Sequence, residues 1–410
     1  MRTGLRLMTA ALFGVIVFGA RGVLAIGDGD PVKLSIDVAS EYTDNRDAVS
    51  DSLAEENVDF FLTPRLEALF RAVKDRTVLS LYYAPSYRYR TEPSDIQNDT
   101  ELQHSLGVEF KHRIVERWSM RAHEQFFLTD DPAIIEGGTT LRRDCSFTAN
   151  RAELETGLRV APLTDLSLLG RHYIKMYEED LVAEESDEES VDGRLRLWVA
   201  FAEQFGMLVD VKAEQWTYDS ARGLERGFTA ISAGLGLEKL IGAALRSSLS
   251  AGWKTLSYDD SALGDESAPY AQVMLQVTPA SGQMRVTASG TYMLRDSDVY
   301  PFASQQYTGL GLDLEWKPVS RWTLGLGGEY RLGDYDAKMA PVEHTDPTYV
   351  RPVSGQEETL MGNARVAFNF DEKTKLQLVQ SLEDVQTDLD PRYSWDYTRN
   401  ATRLTFSRQF

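Results

Sequence analysis

The chain has a single cysteine, Cys145, in 410 residues. An intramolecular disulfide is therefore excluded, and so are the paired-cysteine zinc and redox motifs. Histidine is also scarce: His104, His112, His123, His172 and His344 are the only five, and none stands in a metal-ligand spacing such as H-E-x-x-H. No G-x-S-x-G elbow and no phosphate-cradling glycine loop occurs. With no assignable nucleophile and base, an enzyme is not expected. Basic residues are in deficit, 43 Lys and Arg against 63 Asp and Glu, for a formal net charge of −20. That balance argues against nucleic acid or an anionic surface as a partner. After residue 25 no run of about 18 apolar residues occurs, so no membrane-spanning helix is expected.

The amino terminus does have an apolar run, but a short one. Arg2 and Arg6 precede the segment from Met8 to Gly19, and Val23-Leu24-Ala25 follows with small or apolar residues. This is the pattern of a secretory signal peptide over 1–25, with cleavage expected after Ala25. No cysteine follows that point, so a lipoprotein is not expected. Residues 26–410 show no Pro/Gly/Ser linker and no shift of composition. One large repeating architecture is favoured over two or three separate domains.

What the sequence has in abundance is alternation. Val273, Leu275 and Val277 alternate with Gln272, Met274 and Gln276; Leu310, Leu312, Leu314 and Trp316 alternate with Gly311, Asp313 and Glu315. Trp322, Leu324, Leu326, Gly328, Tyr330 and Leu332 alternate with Thr323, Gly325, Gly327, Glu329 and Arg331. This is the period of a strand with one apolar face, and no helical period competes with it. The stretches exceed the five or six residues usual in globular strands and match the about 9–11 that a tilted spanning strand needs. Eighteen strands are expected, near 33–42, 58–72, 76–90, 101–114, 117–128, 147–161, 165–177, 191–203, 206–218, 227–239, 244–258, 269–279, 283–295, 306–317, 321–332, 358–371, 374–386 and 397–410. One missed or split hairpin would make the count 16 or 20. Very short connections alternate with long ones such as 129–146, 178–190 and 333–357. The expected fold is all-β, a transmembrane antiparallel up-and-down β-barrel with short periplasmic turns and longer external loops.

The last residues, Asn400-Ala401-Thr402-Arg403-Leu404-Thr405-Phe406-Ser407-Arg408-Gln409-Phe410, place Leu404, Phe406 and Phe410 on one parity. This segment resembles the closing strand of bacterial outer-membrane β-barrels. The resemblance implies that Phe406 and Phe410 serve membrane targeting, read by the barrel-insertion machinery. Arg408 departs from that pattern and is expected to snorkel at the periplasmic interface. Near the start, Ser40-Glu41-Tyr42-Thr43-Asp44-Asn45 precedes Thr63-Pro64-Arg65-Leu66-Glu67 and then Leu79-Ser80-Leu81-Tyr82-Tyr83-Ala84-Pro85-Ser86-Tyr87-Arg88-Tyr89-Arg90. These hairpins resemble the outer-membrane β-barrel porins associated with bacterial exopolysaccharide systems. The resemblance covers about 60 residues well and implies a barrel class more than a substrate. It also brings polysaccharide and its export complex in as expected partners, beside outer-membrane lipid and lipopolysaccharide.

Charge follows the parity opposite the apolar row. Arg151, Glu153, Glu155 and Arg159 share a face, as do Asp210, Lys212 and Glu214. Arg171, Lys175, Arg194, Arg196, Arg246, Lys254, Arg285, Asp313, Glu315, Glu329, Arg331, Arg365 and Arg403 fall inward on the same register. Charges on a lipid face are costly, so these are the candidate pore-lining residues. Cross-strand pairing into a stiff, partly plugged wall is the competing reading. The acidic run containing Glu184, Glu185, Asp187, Glu188 and Glu189 is expected to be a solvated loop, with a loop-bound divalent cation as the sharper alternative and no other cofactor. Trp118, Trp322 and Phe410 at turn-side ends, with Tyr42, Tyr177, Tyr218, Tyr258 and Tyr397 at loop-side ends, suggest two aromatic girdles. The function expected is an outer-membrane pore for passive passage of polar solutes or polysaccharide. The alternatives are a dedicated exopolysaccharide export pore and a plugged structural or surface-binding barrel.

Overall fold

The computed structural model describes residues 32–45, 54–72, 76–92, 99–129, 146–178, 187–202, 204–218, 227–241, 244–261, 263–279, 281–297, 304–336, 354–388 and 396–410. Within them the chain forms eighteen strands and no helix. The signal-peptide expectation over 1–25 lies outside the described residues, as does the 129–146 loop beyond Thr129 and before Ser146. The first six strands are β1 (Val32–Thr43), β2 (Asn57–Ala72), β3 (Thr77–Arg90), β4 (Thr100–Val115), β5 (Trp118–Thr129) and β6 (Phe147–Ala161). They are followed by β7 (Thr164–Tyr177), β8 (Glu188–Ala202), β9 (Phe205–Tyr218), β10 (Phe228–Ile241), β11 (Leu245–Tyr258) and β12 (Asp265–Val277). The chain finishes with β13 (Met284–Asp296), β14 (Ser304–Trp316), β15 (Trp322–Asp336), β16 (Ser354–Asn369), β17 (Thr374–Thr387) and β18 (Tyr397–Gln409). Each strand pairs antiparallel with its sequence neighbours, and β18 pairs with β1, so the sheet has no free edge.

Closure runs from Thr43 opposite Ala401 to Ser35 opposite Gln409. The backbone N–H of Phe410 adds one more bond, to the carbonyl of Leu34 at 2.8 Å. A closed barrel leaves no strand edge unpartnered, the condition a sheet must meet to cross a hydrocarbon layer. Arg408, the discordant residue of the tail, stands on the apolar parity with its guanidinium 5.6 Å from the Phe410 ring centre.

One parity of each strand turns outward and is mostly apolar. Leu310 and Leu312 on β14 are 55 % and 56 % exposed, and Leu235 on β10 is 61 % exposed. A soluble protein hides such rows in a core; here they form an outer band, and the small buried clusters lie within the barrel. At the turn end Trp118, Trp322 and Phe410 are exposed on this outer face. At the loop end the girdle differs from the sequence expectation. Tyr42 is outward, but Tyr177, Tyr218 and Tyr397 are 7 %, 8 % and 4 % exposed and lie on the inward parity, as does half-buried Tyr258. Strand-end position alone suggested a girdle; parity decides the face. With Tyr42, the described residues Phe60, Tyr83, Tyr87, Tyr89, Trp253 and Tyr292 also face outward.

The wall has a gap where the two early proline motifs meet. β2 and β3 pair from Asp59 opposite Arg90 to Leu62 opposite Tyr87, and again from Leu66 opposite Tyr83 onward. The common offset places Pro64 directly opposite Pro85, and pairing stops for three residues on each strand. Neither residue has an N–H to donate. Thr63 and Ser86, the adjoining inward pair, share a hydroxyl hydrogen bond at 2.7 Å that bridges the gap from inside. Replacing both prolines by valine is expected to restore the missing bonds, strengthening the barrel by about 1 kcal/mol for each. The temperature at which the folded barrel loses its compact gel mobility should rise. An unchanged temperature would assign the gap to another cause.

At the turn joining β16 and β17, Asp371 accepts from the Lys373 backbone N–H at 2.7 Å and from the Thr374 hydroxyl at 3.2 Å. The Lys373 N–H in particular holds its carboxyl below the usual carboxylate range.

Candidate functional site: a charged chamber in the barrel interior

The face opposite the apolar row carries the charge, and the ladder registers bring the charges into contact. On β8 and β9, Arg196 lies opposite Asp210 and Arg194 opposite Lys212. Asp210 accepts from Nε of Arg194 at 2.8 Å and from Nε of Arg196 at 2.9 Å. Two steps of the alternation further along β9, Glu214 accepts from Lys212 and from Lys254 Nζ, the latter at 3.2 Å from β11. Glu315 on β14 repeats the arrangement, with Arg285 at 3.3 Å, Arg365 at 3.3 Å and Lys317 at 3.2 Å. Each of these carboxylates is shared by two or more cations. Every such group therefore keeps a surplus of positive charge, in a chain whose total is strongly negative.

The first two clusters lie in one chamber. It is about 680 Å³ in volume and is built from the inward faces of β7 to β13. Six cations line it (Arg171, Arg194, Arg196, Lys212, Lys254 and Arg295) against four acids (Asp210, Glu214, Glu238 and Asp296). Tyr270 forms part of its wall, lying over the facing glycines Gly234 and Gly252. Those glycines are opposite each other in the β10–β11 ladder. At the loop end, half-buried Trp216 stacks on Tyr218 and Phe228 at ring separations of 6.3 Å each, and all three line the chamber. The chamber thus combines a positive middle with an aromatic loop end.

Of the residues read as inward, Arg171, Arg194, Arg196, Asp210, Lys212, Glu214 and Lys254 meet here. The others stand elsewhere on the inner face. Arg151 donates to Glu153 at 2.8 Å, with His123 3.9 Å from the same carboxylate. Glu155 lies opposite Arg121, Asp313 opposite Thr287, and Arg246 opposite Gln276. Arg159 pairs with Asp165 at 3.2 Å, Arg331 with Glu329 at 2.7 Å, and Arg403 with Glu41 at 3.4 Å. Lys175 is buried 3.9 Å from Glu188, with its ammonium over the rings of Phe147 and Tyr177.

The acidic run differs from the expected loop. Glu188 and Glu189 begin β8 and point to opposite faces, Glu188 toward buried Lys175 and Glu189 to His172 Nε2 at 2.8 Å. Asp187 accepts from the Tyr177 backbone N–H at 2.7 Å. Strand pairing with β7 takes these carboxylates away from one another, and no group of metal-ligand side chains is gathered among the described residues. Glu184 and Glu185 lie outside the described residues.

Two features escaped the sequence reading. Trp216, Tyr270 and Arg295 stand on inward parities and were findable by extending the alternation to uncharged and strand-end positions. Glu124 contradicts the rule that charges face inward. It lies opposite Ala152 on the row that carries Leu154 and is met by Asn150 Nδ2 at 3.2 Å on the same face.

Fold and interior together define a closed eighteen-stranded antiparallel barrel with a charged inner face. Solved structures share this architecture. OccK2 (OpdF) of Pseudomonas aeruginosa superposes with a TM-score of 0.51 at 11 % identity, covering 92 % of this chain and 98 % of that one. A BenF-like porin from Pseudomonas fluorescens Pf-5 gives 0.50 at 13 % identity, covering 94 % and 100 %. At such identities the likeness is one of fold. No protein-family model and no curated protein matches the sequence. The structural neighbours carry the barrel class implied by the early hairpins; nothing in them speaks for exopolysaccharide.

Proposed function

We propose that this chain is a pore of the bacterial outer membrane that passes small polar solutes passively and favours anions. The observation that carries the reading is the chamber, where Asp210 and Glu214 are each bracketed by two cations and six cations oppose four acids. The outer apolar band supports placement in a membrane, since only a lipid phase accommodates such rows on a closed barrel. Selectivity then arises as in other charged pores: fixed cations replace part of the hydration of a passing anion, while the interspersed carboxylates keep binding weak enough for release. The barrel needs no chemistry and no energy source for this task.

Liposomes loaded with an impermeant sugar and containing the purified barrel provide the test. They should swell faster in an isotonic solution of a small monocarboxylate salt than in one of a neutral sugar of equal size. Equal rates for both would remove the anion preference, and absence of swelling in either would remove the pore.

A further inference from the structure

We infer that the outer face of β5 to β9 is an interface on which a second copy of this chain docks about a two-fold axis, each copy's Glu124 pairing with the other's His172. The outer wall is not uniform. From β10 to β15 its rows are apolar, with Leu235, Leu249, Val273, Leu310, Leu312 and Leu326 all exposed. On β5, Glu124 breaks the apolar row between Trp118 at the turn end and Leu128 near the loop end. A charge on the lipid face is costly there. Its hydrogen-bond partner among the described residues is the uncharged amide of Asn150 on β6, at 3.2 Å. That amide occupies one carboxylate oxygen and leaves the charge uncompensated.

A group able to supply the missing cation stands in the same register row, turned away from Glu124 within one copy. Glu124 lies opposite Ala152, and Ala152 lies opposite His172 on β7. The two polar residues are therefore two strand spacings apart, about 9.6 Å, with a methyl group between them. His172 turns to the other side, its Nε2 2.8 Å from the Glu189 carboxylate on β8. A protonated imidazole has a second N–H, at Nδ1, that Glu189 does not use. Rotation by half a turn about the membrane normal, on an axis facing Ala152, exchanges the two flanks of this row. Glu124 of each copy then faces His172 of the other, the self-complementary pattern of an isologous interface.

The wall beside Ala152 permits a close approach. Gly170 of β7 and Gly193 of β8 face each other in the ladder, and a Cβ at either would meet nothing within 4 Å. Ala213 of β9, opposite Gly193, continues this low floor. Small residues let two walls come near enough for side chains to hydrogen-bond across them. Apolar rows gain nothing by leaving lipid for a protein neighbour, so polar pairs and packing decide where two barrels meet. The β10 to β15 wall offers a second copy only what lipid already offers. The β5 to β9 wall offers two charge pairs.

Cysteine cross-linking in intact outer membranes tests this, in a Cys145→Ser background. Ala152→Cys lies at the axis, so mild oxidation should join two copies into a product of twice the chain mass. Leu312→Cys, on the β14 wall, should give no such product. In mild detergent the unsubstituted barrel should sediment as a dimer. Glu124→Leu puts an apolar side chain on an apolar face and should keep the compact gel mobility of the folded barrel. It should nevertheless weaken association about tenfold for each of the two pairs lost. Glu124→Gln, of the same shape without the charge, should do the same. Equal cross-linking from Ala152→Cys and Leu312→Cys, a monomer in detergent with no Ala152→Cys product in membranes, or a folded Glu124 variant that associates unchanged would each overturn the interface. Lipid or a different protein would then be the neighbour of this wall. None of these readouts depends on conduction, so the interface and the pore can fail separately.

Discussion

A barrel in which Arg194 and Arg196 are both replaced by alanine will lose its preference for anions and pass cations at least as readily. The two guanidinium groups bracket Asp210 from β8, and removing them leaves that carboxylate facing the chamber without its cations. The lining then changes from six cations and four acids to four of each. Two unit charges 4 Å apart interact by about 4 kcal/mol at an effective dielectric constant near 20, and much of that is screened in a wet lumen. A shift of about 1.4 kcal/mol, tenfold in the anion-to-cation permeability ratio, is the expected scale. Reversal potentials in a salt gradient measure it directly. Lysine at both positions keeps the charge and should retain the preference. An unaltered ratio in the alanine variant would show that the narrowest part of the path lies elsewhere.

Gly252→Ala is expected to be the most damaging added methyl among the described glycines. A Cβ there would stand 2.2 Å from the Ala233 carbonyl oxygen and 2.6 Å from the Cα of Gly234, both backbone atoms of the paired strand. Neither can rotate away, so β10 and β11 must separate, and Tyr270, whose ring carbon would be 2.7 Å off, must leave the chamber wall. Overpacking of this kind costs about 3 kcal/mol. The folded barrel should lose its compact gel mobility at a markedly lower temperature. Gly193→Ala on β8 is the matched control, because a Cβ there meets nothing within 4 Å. It should leave that temperature unchanged or slightly raised. Equal behaviour of the two variants would refute the close approach.

How much of this was legible beforehand depends on what each feature rests upon. All eighteen strands could be found from alternation, because a wall between lipid and water imposes period two on every strand. Their limits drifted where the pattern weakens. β8 begins at Glu188, β12 at Asp265 and β16 at Ser354, each a few residues before the sequence suggests. The inward parity of Arg194, Arg196, Asp210, Lys212, Glu214 and Lys254 followed from the same alternation. Their convergence did not, since it requires the offsets between β8, β9, β10 and β11. Tyr177, Tyr218 and Tyr397 face inward because parity, not nearness to a strand end, decides the face. Pro64 and Pro85 were visible as motif residues from the start; that they oppose each other is a property of register, which one strand cannot reveal.

Conduction is the property that decides whether this barrel is a pore. Purified from detergent-solubilised membranes and added to a planar lipid bilayer with a tenfold gradient of potassium chloride, it should produce discrete current steps. The reversal potential should carry the sign of chloride preference. A folded barrel that inserts and yields no current steps at any voltage, or steps that reverse with the sign of potassium preference, would contradict it.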